Sequence, residues 1–220
     1  MDLGLPVFLC CPGPSLAQCS ISSGPGRMVV AVNTAYPLVR PDLWIGMDRP
    51  GCYSDSLWRE PFRKIVRASI SHDLRSSPET YLMDLEKFPP EDMFKRRSGD
   101  AKFCWDRSTL IASIHLLVWM GARRIHLAGC DFGGSSDYHD GRMLTPEQRQ
   151  LNRKMYGQQV EVLRMLAPAA LSHGVEFVSA TDGSPINEFM RYIPLEESAS
   201  MDTTTAFNSI PVRHAMELYQ

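Results

Sequence analysis

The sequence predicts an α/β fold, a Rossmann-like domain in which a mostly parallel sheet carries helices on both faces. Short apolar runs alternate along the 220 residues with segments in which apolar residues recur at helical spacing. This alternation is typical of β-α-β units, and runs that are apolar throughout suit parallel strands covered on both sides. We expect this domain to span residues 1–196, followed by a peripheral tail over residues 197–220.

Each predicted strand is a short apolar run that ends in a polar residue or a turn. The six runs are 6–11, 28–33, 43–48, 64–70, 124–130 and 175–179. The first run leads into Pro-Gly-Pro, and we expect a helix to follow with Ser15 as its N-cap.

Two longer helices are predicted in the second half of the chain. Apolar residues recur at helical spacing from Ser108, a suitable N-cap, to Met120, and Gly121 follows as a helix terminator. Thr145, followed by proline and then by glutamine three positions on, is a capping-box pattern. It predicts a helix that runs to about residue 172, with a kink expected at Pro168.

The segment 71–106 is polar and is interrupted by Pro78, Pro89 and Pro90. We expect an irregular insertion here rather than a second domain. Long loops often act as lids, so this insertion or part of residues 132–145 is predicted to cover a binding site.

Composition excludes several classes of protein. The net charge of −2 does not favour a nucleic-acid partner, and none of the six cysteines forms the Cys-x-x-Cys pairs of a zinc site. The first residues lack the basic region of a signal peptide, and no apolar run approaches the roughly 20 residues that span a bilayer. We therefore predict a cytoplasmic protein.

Basic residues cluster at two places in the first half of the chain. The clusters are Arg59, Arg63, Lys64 and Arg67, and then Lys95, Arg96 and Arg97. Two interpretations stay open, a solvated face or a patch that binds a phosphate-bearing acceptor.

Polar residues and tight turns follow four of the predicted strands. They are the loop Gly13-Pro14-Ser15, then Asn33, Asp48 and Asp131. Because parallel sheets bind ligands beyond the carboxyl ends of their strands, we expect these residues to form one site. Ser108 and Thr109, at the start of a helix, are predicted to join it.

Each residue type has a role in binding a nucleotide. Gly13 allows a phosphate to approach the backbone, so a side chain there should abolish binding and leave the fold intact. Asn33 suits a ribose or a base edge. Asp48 and Asp131 suit ribose hydroxyls or a divalent metal such as Mg²⁺. The alternative is that Gly-Pro-Ser and Asp48 serve only to form turns.

The stretch Asp137-Tyr138-His139-Asp140-Gly141 is the candidate for acid–base chemistry. Its histidine titrates near neutral pH, and a neighbouring carboxylate would orient the ring. A solvated loop with a turn at Asp140-Gly141 is the alternative.

The Gly13-Pro14-Ser15 loop, the strand ends at Asn33 and Asp48, the helix start at Ser108 and the run Gly121 to Asp131 resemble a phage-encoded family over roughly residues 5–195. That family looks related to the single-domain bacterial sialyltransferases. It also looks related to archaeal 6-hydroxymethyl-dihydropterin pyrophosphokinases and flagellin-accessory proteins. The resemblance implies that the Gly13 loop, Asn33 and Ser108 hold a donor nucleotide. Two positions differ: the sialyltransferases have asparagine where this chain has Pro12, and their catalytic histidine falls near Lys154.

Three functions follow as hypotheses. The first is a nucleotide-dependent glycosyltransferase that uses a nucleotide-sugar donor, with His139 as base and Lys154 or Arg153 neutralising the leaving phosphate. The second is a Mg²⁺-dependent pyrophosphoryl or nucleotidyl transferase, with the metal on Asp48 or Asp131. The third is a non-catalytic nucleotide-binding phage protein. The acceptor could be a glycan, a small molecule or modified DNA, and self-association into a homo-oligomer stays open.

Overall fold

A computed structural model describes residues 5–73, 79–95, 102–106, 108–133 and 144–201. In this part of the chain nine strands form one sheet, and every neighbouring pair is parallel. The strands are β1 (Pro6–Cys10), β2 (Met28–Val32), β3 (Leu43–Gly46), β4 (Arg63–Arg67), β5 (Thr80–Glu86), β6 (Lys102–Cys104), β7 (Arg124–Ala128), β8 (Glu176–Ser179) and β9 (Arg191–Tyr192). The predicted Rossmann-like α/β class is confirmed.

The strand order is β6-β5-β4-β3-β2-β1-β7-β8-β9. Strands β2 to β6 therefore extend the sheet on one side of β1, and strands β7 to β9 extend it on the other side. The direction changes between β1 and β7, which pair in parallel from Pro6 with Arg124 to Cys10 with Ala128. Such a switch point leaves a crevice beyond the carboxyl ends of the two strands.

Both faces of the sheet are buried, because alternate residues of each central strand enter different cores. Val7 and Leu9 of β1 pack on the face covered by the long helices α1 (Thr109–Trp119) and α2 (Pro146–Ser172). Phe8 and Cys10 pack on the opposite face. Short 3₁₀ helices and the start of α3 (Leu195–Met201) cover that face.

The predicted caps of the two long helices are confirmed. The Ser108 side chain accepts a hydrogen bond from the Ile111 N–H, and Gly121 after α1 has a φ of 89°. Thr145 and Gln148 form the reciprocal capping box of α2, which continues through Pro168.

The segment 71–106 is not irregular throughout, so that prediction is wrong. It contributes β5 and β6 to the sheet, and Phe103 of β6 is buried under α1. The prolines misled the prediction because they fall in the connections: Pro89 and Pro90 lie at the start of a 3₁₀ helix between the two strands. A lid made of this whole segment is therefore ruled out, and most of the other predicted cover, residues 134–143, lies outside the described residues.

The chain after β1 is also different from the prediction. Pro14–Gln18 is a five-residue 3₁₀ helix whose N-cap position is Gly13, and Ser15 lies inside it. The helix stays short because residues 20–24 are Ser-Ile-Ser-Ser-Gly, a composition that favours turns over a helix. Such a short 3₁₀ helix does not supply the dipole of a full helix.

Lys64 does not belong to a solvated face or to a phosphate patch. It is buried, its Nζ donates to the carbonyls of Glu60 and Phe62, and burial lowers its pKa. Arg63 is paired with Glu79 at 3.7 Å, beside an open groove that also contains the rings of Tyr36 and Phe62.

In the part of the chain that the structure describes, none of the helices has the length and hydrophobicity needed to span a membrane.

Candidate functional site

A cavity of about 310 Å³ lies beyond the carboxyl ends of β1, β2, β3 and β7, at the point where the strand order changes direction. Seven of the ten residues predicted for the site line it: Gly13, Pro14, Asn33, Asp48, Ser108, Thr109 and Asp131. The expectation that strand ends and helix starts meet at one edge therefore agrees with the structure.

The floor of the cavity is the turn that follows β1, packed against the end of β7. The Cys11 N–H donates to the Ala128 carbonyl at 2.8 Å, and the Gly13 N–H donates to the Gly129 carbonyl at 3.0 Å. These bonds extend the β1–β7 pairing past the end of each strand. Gly129 has a φ of 67°, and a Cβ there would meet the Cys11 carbonyl oxygen. These contacts hold the ends of β1 and β7 close together.

Gly13 is required for packing rather than for its backbone angles. Its φ of −70° and ψ of 156° are extended values that any residue adopts. A Cβ at this position would come closer than 3.0 Å to Asp131 Oδ2 and to the Gly129 carbonyl oxygen. The expectation that a side chain at position 13 would leave the fold intact is therefore wrong.

The Asp131 carboxylate, which follows β7, binds Ser15 in the turn after β1 and so joins the two parts of the cavity floor. Its Oδ2 accepts a hydrogen bond from Ser15 Oγ at 2.8 Å, and its Oδ1 accepts one from the Ser15 N–H at 3.2 Å. Burial raises the pKa of the Asp131 carboxyl, and the two bonds from Ser15 oppose that rise. Ser15 thus lies behind the cavity and acts through Asp131 rather than lining it.

Asn33 lies on the next wall in an uncommon backbone conformation. Its φ is 51°, in the left-handed region that asparagine enters more readily than most residues. Its carbonyl accepts a hydrogen bond from Trp44 Nε1 at 2.7 Å, and its Oδ1 accepts one from the Tyr53 hydroxyl at 3.1 Å. The Tyr53 hydroxyl also accepts from the Asp48 N–H at 3.2 Å, so one phenol links both polar strand ends.

Three aromatic rings support this wall from behind. Trp44 and Tyr53 meet edge to face at 4.9 Å, and Trp58 packs edge to face on Trp44 at 5.8 Å. Gly46 makes room for them, because a Cβ there would collide with the Trp44 ring and lie 2.8 Å from the Tyr53 hydroxyl oxygen. This group of rings was not predicted from the sequence, although Gly46 inside an apolar strand is a signal of close packing.

The amino end of α1 points into the cavity. Ser108 Oγ already accepts from the Ile111 N–H, and the Ser108 carbonyl accepts from the Ala112 N–H. The N–H groups of Thr109 and Leu110, in the first turn, have no intrahelical acceptor, and both residues line the cavity. The 11-residue helix thus directs donors and its positive dipole end toward the cavity.

The first half of α2 forms the remaining wall. Residues one helical turn apart line the cavity: Asn152, Met155, Tyr156 and Gln159. Tyr156 meets the Phe132 ring edge to face at 6.4 Å, and Phe132 has a φ of 50°. A bulky residue in this conformation costs about 1–2 kcal/mol, and such strain is concentrated at functional sites. Sequence reasoning missed this wall, although these positions share one helix face.

Besides Ser15, two predicted residues are not placed in the cavity. Lys154 is exposed on α2 and does not belong to the lining. His139 and both of its neighbouring aspartates lie outside the described residues, so their catalytic role stays a prediction.

The described residues hold no group of three or more His, Cys, Asp or Glu side chains that could bind a metal ion. Asp48 and Asp131 line the same cavity, but Asp131 already accepts two hydrogen bonds from Ser15. These two carboxylates would need ligands from elsewhere to complete the oxygen shell of Mg²⁺.

No protein-family model matches this chain, and no curated protein matches its sequence. Among solved structures, it is similar to the sialyltransferase CstII from Campylobacter jejuni, which was determined in complex with a substrate analogue, cytidine-5'-monophosphate. The two share 11% identity over 95% of this chain and 92% of that one, with a TM-score of 0.44. A likeness at this level carries no inference about ligand or reaction, and the phage and archaeal relationships stay predictions.

Proposed function

We propose that the cavity binds a nucleotide or nucleotide-sugar and that the chain is a nucleotide-dependent transferase, specifically a glycosyltransferase with a nucleotide-sugar donor. The observation that carries the proposal is the convergence of Asn33, Asp48, Asp131 and the amino end of α1 on one cavity at the switch point of the sheet. Its volume of about 310 Å³ is at the lower end of the range for small-molecule sites.

The phosphate is assigned to the amino end of α1 rather than to the Gly13 turn. The N–H groups of Thr109 and Leu110 are the donors available there, and the helix dipole favours an anion. The turn at Gly13 is filled by the Asp131 carboxylate, which would repel a phosphate placed against it.

The polar side chains of the cavity suit the uncharged parts of a nucleotide. The amide of Asn33 can donate to a base or a ribose oxygen, and the carboxylate of Asp48 can accept from ribose hydroxyls. Trp105, Phe132 and Tyr156 supply aromatic surface on which a base can stack.

Glycosyl transfer needs a base and a group that stabilises the leaving phosphate. In the proposed reaction the acceptor hydroxyl oxygen bonds to the anomeric carbon, the bond from that carbon to the phosphate oxygen breaks, and the hydroxyl proton passes to a base. We assign the base to His139, as the sequence predicts. Lys154 and Arg153 are exposed on α2 outside the cavity lining, so either would neutralise the leaving phosphate only by extending toward the cavity. The amino end of α1 would share the negative charge that develops on the leaving nucleotide.

A pyrophosphoryl or nucleotidyl transferase is the second candidate, because two carboxylates, those of Asp48 and Asp131, line the cavity. Such a reaction would require Mg²⁺, which Asp48 or Asp131 would help to hold and which would neutralise charge on the phosphates. Metal dependence therefore separates the two candidates.

The test is calorimetric titration with nucleoside mono- and diphosphates and nucleotide-sugars, with and without Mg²⁺, followed by assays of nucleotide release from each donor that binds. Gln159 lines the cavity and its neighbour Gln158 is exposed outside it, so they form a matched pair. Gln159→Ala should weaken binding about 2–10-fold, the loss of one hydrogen bond, while Gln158→Ala leaves it unchanged. Absence of binding by every nucleotide would refute the proposal, and turnover that strictly requires Mg²⁺ would favour the second candidate.

A further inference from the structure

We infer that Tyr53 is a positioning residue that fixes the side-chain amide of Asn33 as a hydrogen-bond donor, so that the site selects ligands with an acceptor atom at that point. This inference rests on the proposed function, because it concerns how the same cavity recognises its ligand. The Tyr53 hydroxyl contacts residues that follow two strands, Asn33 after β2 and Asp48 after β3.

The hydrogen bonds of the Tyr53 hydroxyl determine the orientation of Asn33. The hydroxyl accepts from the Asp48 N–H at 3.2 Å, and its own proton needs an acceptor because Tyr53 is only 8% exposed. Asn33 Oδ1 lies 3.1 Å away and receives it. An amide nitrogen cannot accept a hydrogen bond, so the reversed orientation of Asn33 would leave the buried phenol proton unsatisfied.

The phenol keeps its proton under all ordinary conditions. Burial raises the pKa of Tyr53, and the nearby Asp48 carboxylate raises it further. Tyr53 is therefore a permanent donor toward Asn33 rather than a group that titrates near neutral pH.

The surrounding structure leaves Tyr53 little freedom to move. Its ring is held edge to face by Trp44 at 4.9 Å and by Trp58 at 6.4 Å. Trp44 also binds the Asn33 carbonyl through Nε1 at 2.7 Å, which fixes the backbone of Asn33 in its left-handed conformation. Both the backbone and the amide oxygen of Asn33 are thus held from behind, and Asn33 lines the cavity.

The orientation of the Asn33 amide restricts which ligand group can bind beside it. With Oδ1 engaged by Tyr53, the group that Asn33 offers to the cavity is its NH₂, which only donates. The ligand must present an acceptor there, such as a carbonyl oxygen, a ring nitrogen or a hydroxyl lone pair. A group that can only donate would leave two donors facing each other in the cavity.

Two sets of variants test this inference, with the four nucleoside 5'-monophosphates as probes. Tyr53→Phe should weaken the tightest of them about tenfold, Asn33→Ala by a similar factor, and the double variant no more than about twofold beyond Asn33→Ala. Tyr36→Phe is the control, because its hydroxyl contacts Ser56 in the other groove. Asn33→Asp keeps the acceptor for Tyr53 but removes the donor, so it should bind at least as weakly as Asn33→Ala.

Additive losses in the double variant, or full binding by Asn33→Asp, would overturn the inference.

Nuclear magnetic resonance of the ligand-free protein gives an independent readout: Tyr53→Phe should shift the Asp48 N–H and the Asn33 side-chain NH₂ signals, whereas Tyr36→Phe should not. If the wild-type protein binds none of the four probes and none of the nucleoside diphosphates and nucleotide-sugars, the proposed function is refuted. The ligand-free spectra then decide the role of Tyr53, and unchanged signals would refute it.

Discussion

Replacing Gly13 by alanine should destabilise the protein, because the new methyl group would enter the space of Asp131 Oδ2 and the Gly129 carbonyl. Overpacking of this kind costs about 1–3 kcal/mol. Displacing the Asp131 carboxylate from Ser15 would cost about 1.5–3 kcal/mol more, since both of its oxygens accept from that residue. The free energy of unfolding should fall by about 2.5–6 kcal/mol, and the Tm by roughly 5–20 °C.

The assay is thermal unfolding of the ligand-free protein, with Gly157→Ala as the matched control. Gly157 lies inside α2, and a Cβ there would meet nothing within 4 Å. Alanine is the better helix former, so this control should raise the Tm by about 2–4 °C. If Gly13→Ala melts within about 2 °C of the wild-type protein, the close packing of the two strand ends is not what Gly13 provides.

Changes at Ser108, Asp131 and His139 give three further predictions. Ser108→Ala removes the N-cap of α1 and should cost about 0.5–2 kcal/mol of unfolding free energy, with Ser108→Asp restoring most of it in the same denaturation assay. Asp131 has a raised pKa in the folded protein, so the wild type loses stability as the pH rises through that value. The Tm difference between Asp131→Asn and the wild type should therefore grow more positive from about pH 4 to about pH 7, and a difference that shrinks would contradict the burial argument. His139→Asn should lower turnover about 10²-fold with nearly unchanged nucleotide affinity, and turnover that survives this change but is lost in Lys154→Ala would move the chemistry to α2.

The fold was predictable where local patterns determine it. Continuous apolar runs such as Met28–Val32 mark central strands because both of their faces are buried, and Ser108 and Thr145 mark helix starts because their side chains satisfy backbone donors. The strand β5 was not predicted, since Leu82 is 45% exposed and Asp84 and Glu86 interrupt its apolar residues. It is stabilised by pairing with β4 on one side and β6 on the other rather than by its own hydrophobicity.

The site was predictable to the extent that strand ends must meet. Asn33, Asp48 and Asp131 each follow a strand, and parallel pairing brings them to one edge. Their partners were not predictable, because Tyr53 reaches Asn33 from 20 residues away and Ser15 reaches Asp131 from 116 residues away. Such contacts depend on side-chain packing in three dimensions, for which the sequence contains no local signal.

Nuclear magnetic resonance titration of the labelled protein would locate a bound nucleotide. Binding in the cavity should give saturable shifts at the N–H groups of Thr109 and Leu110 and at the Asn33 side chain, with no change in the groove of Tyr36 and Phe62. Saturable shifts confined to that groove, or an unchanged spectrum with every nucleotide and nucleotide-sugar, would contradict it.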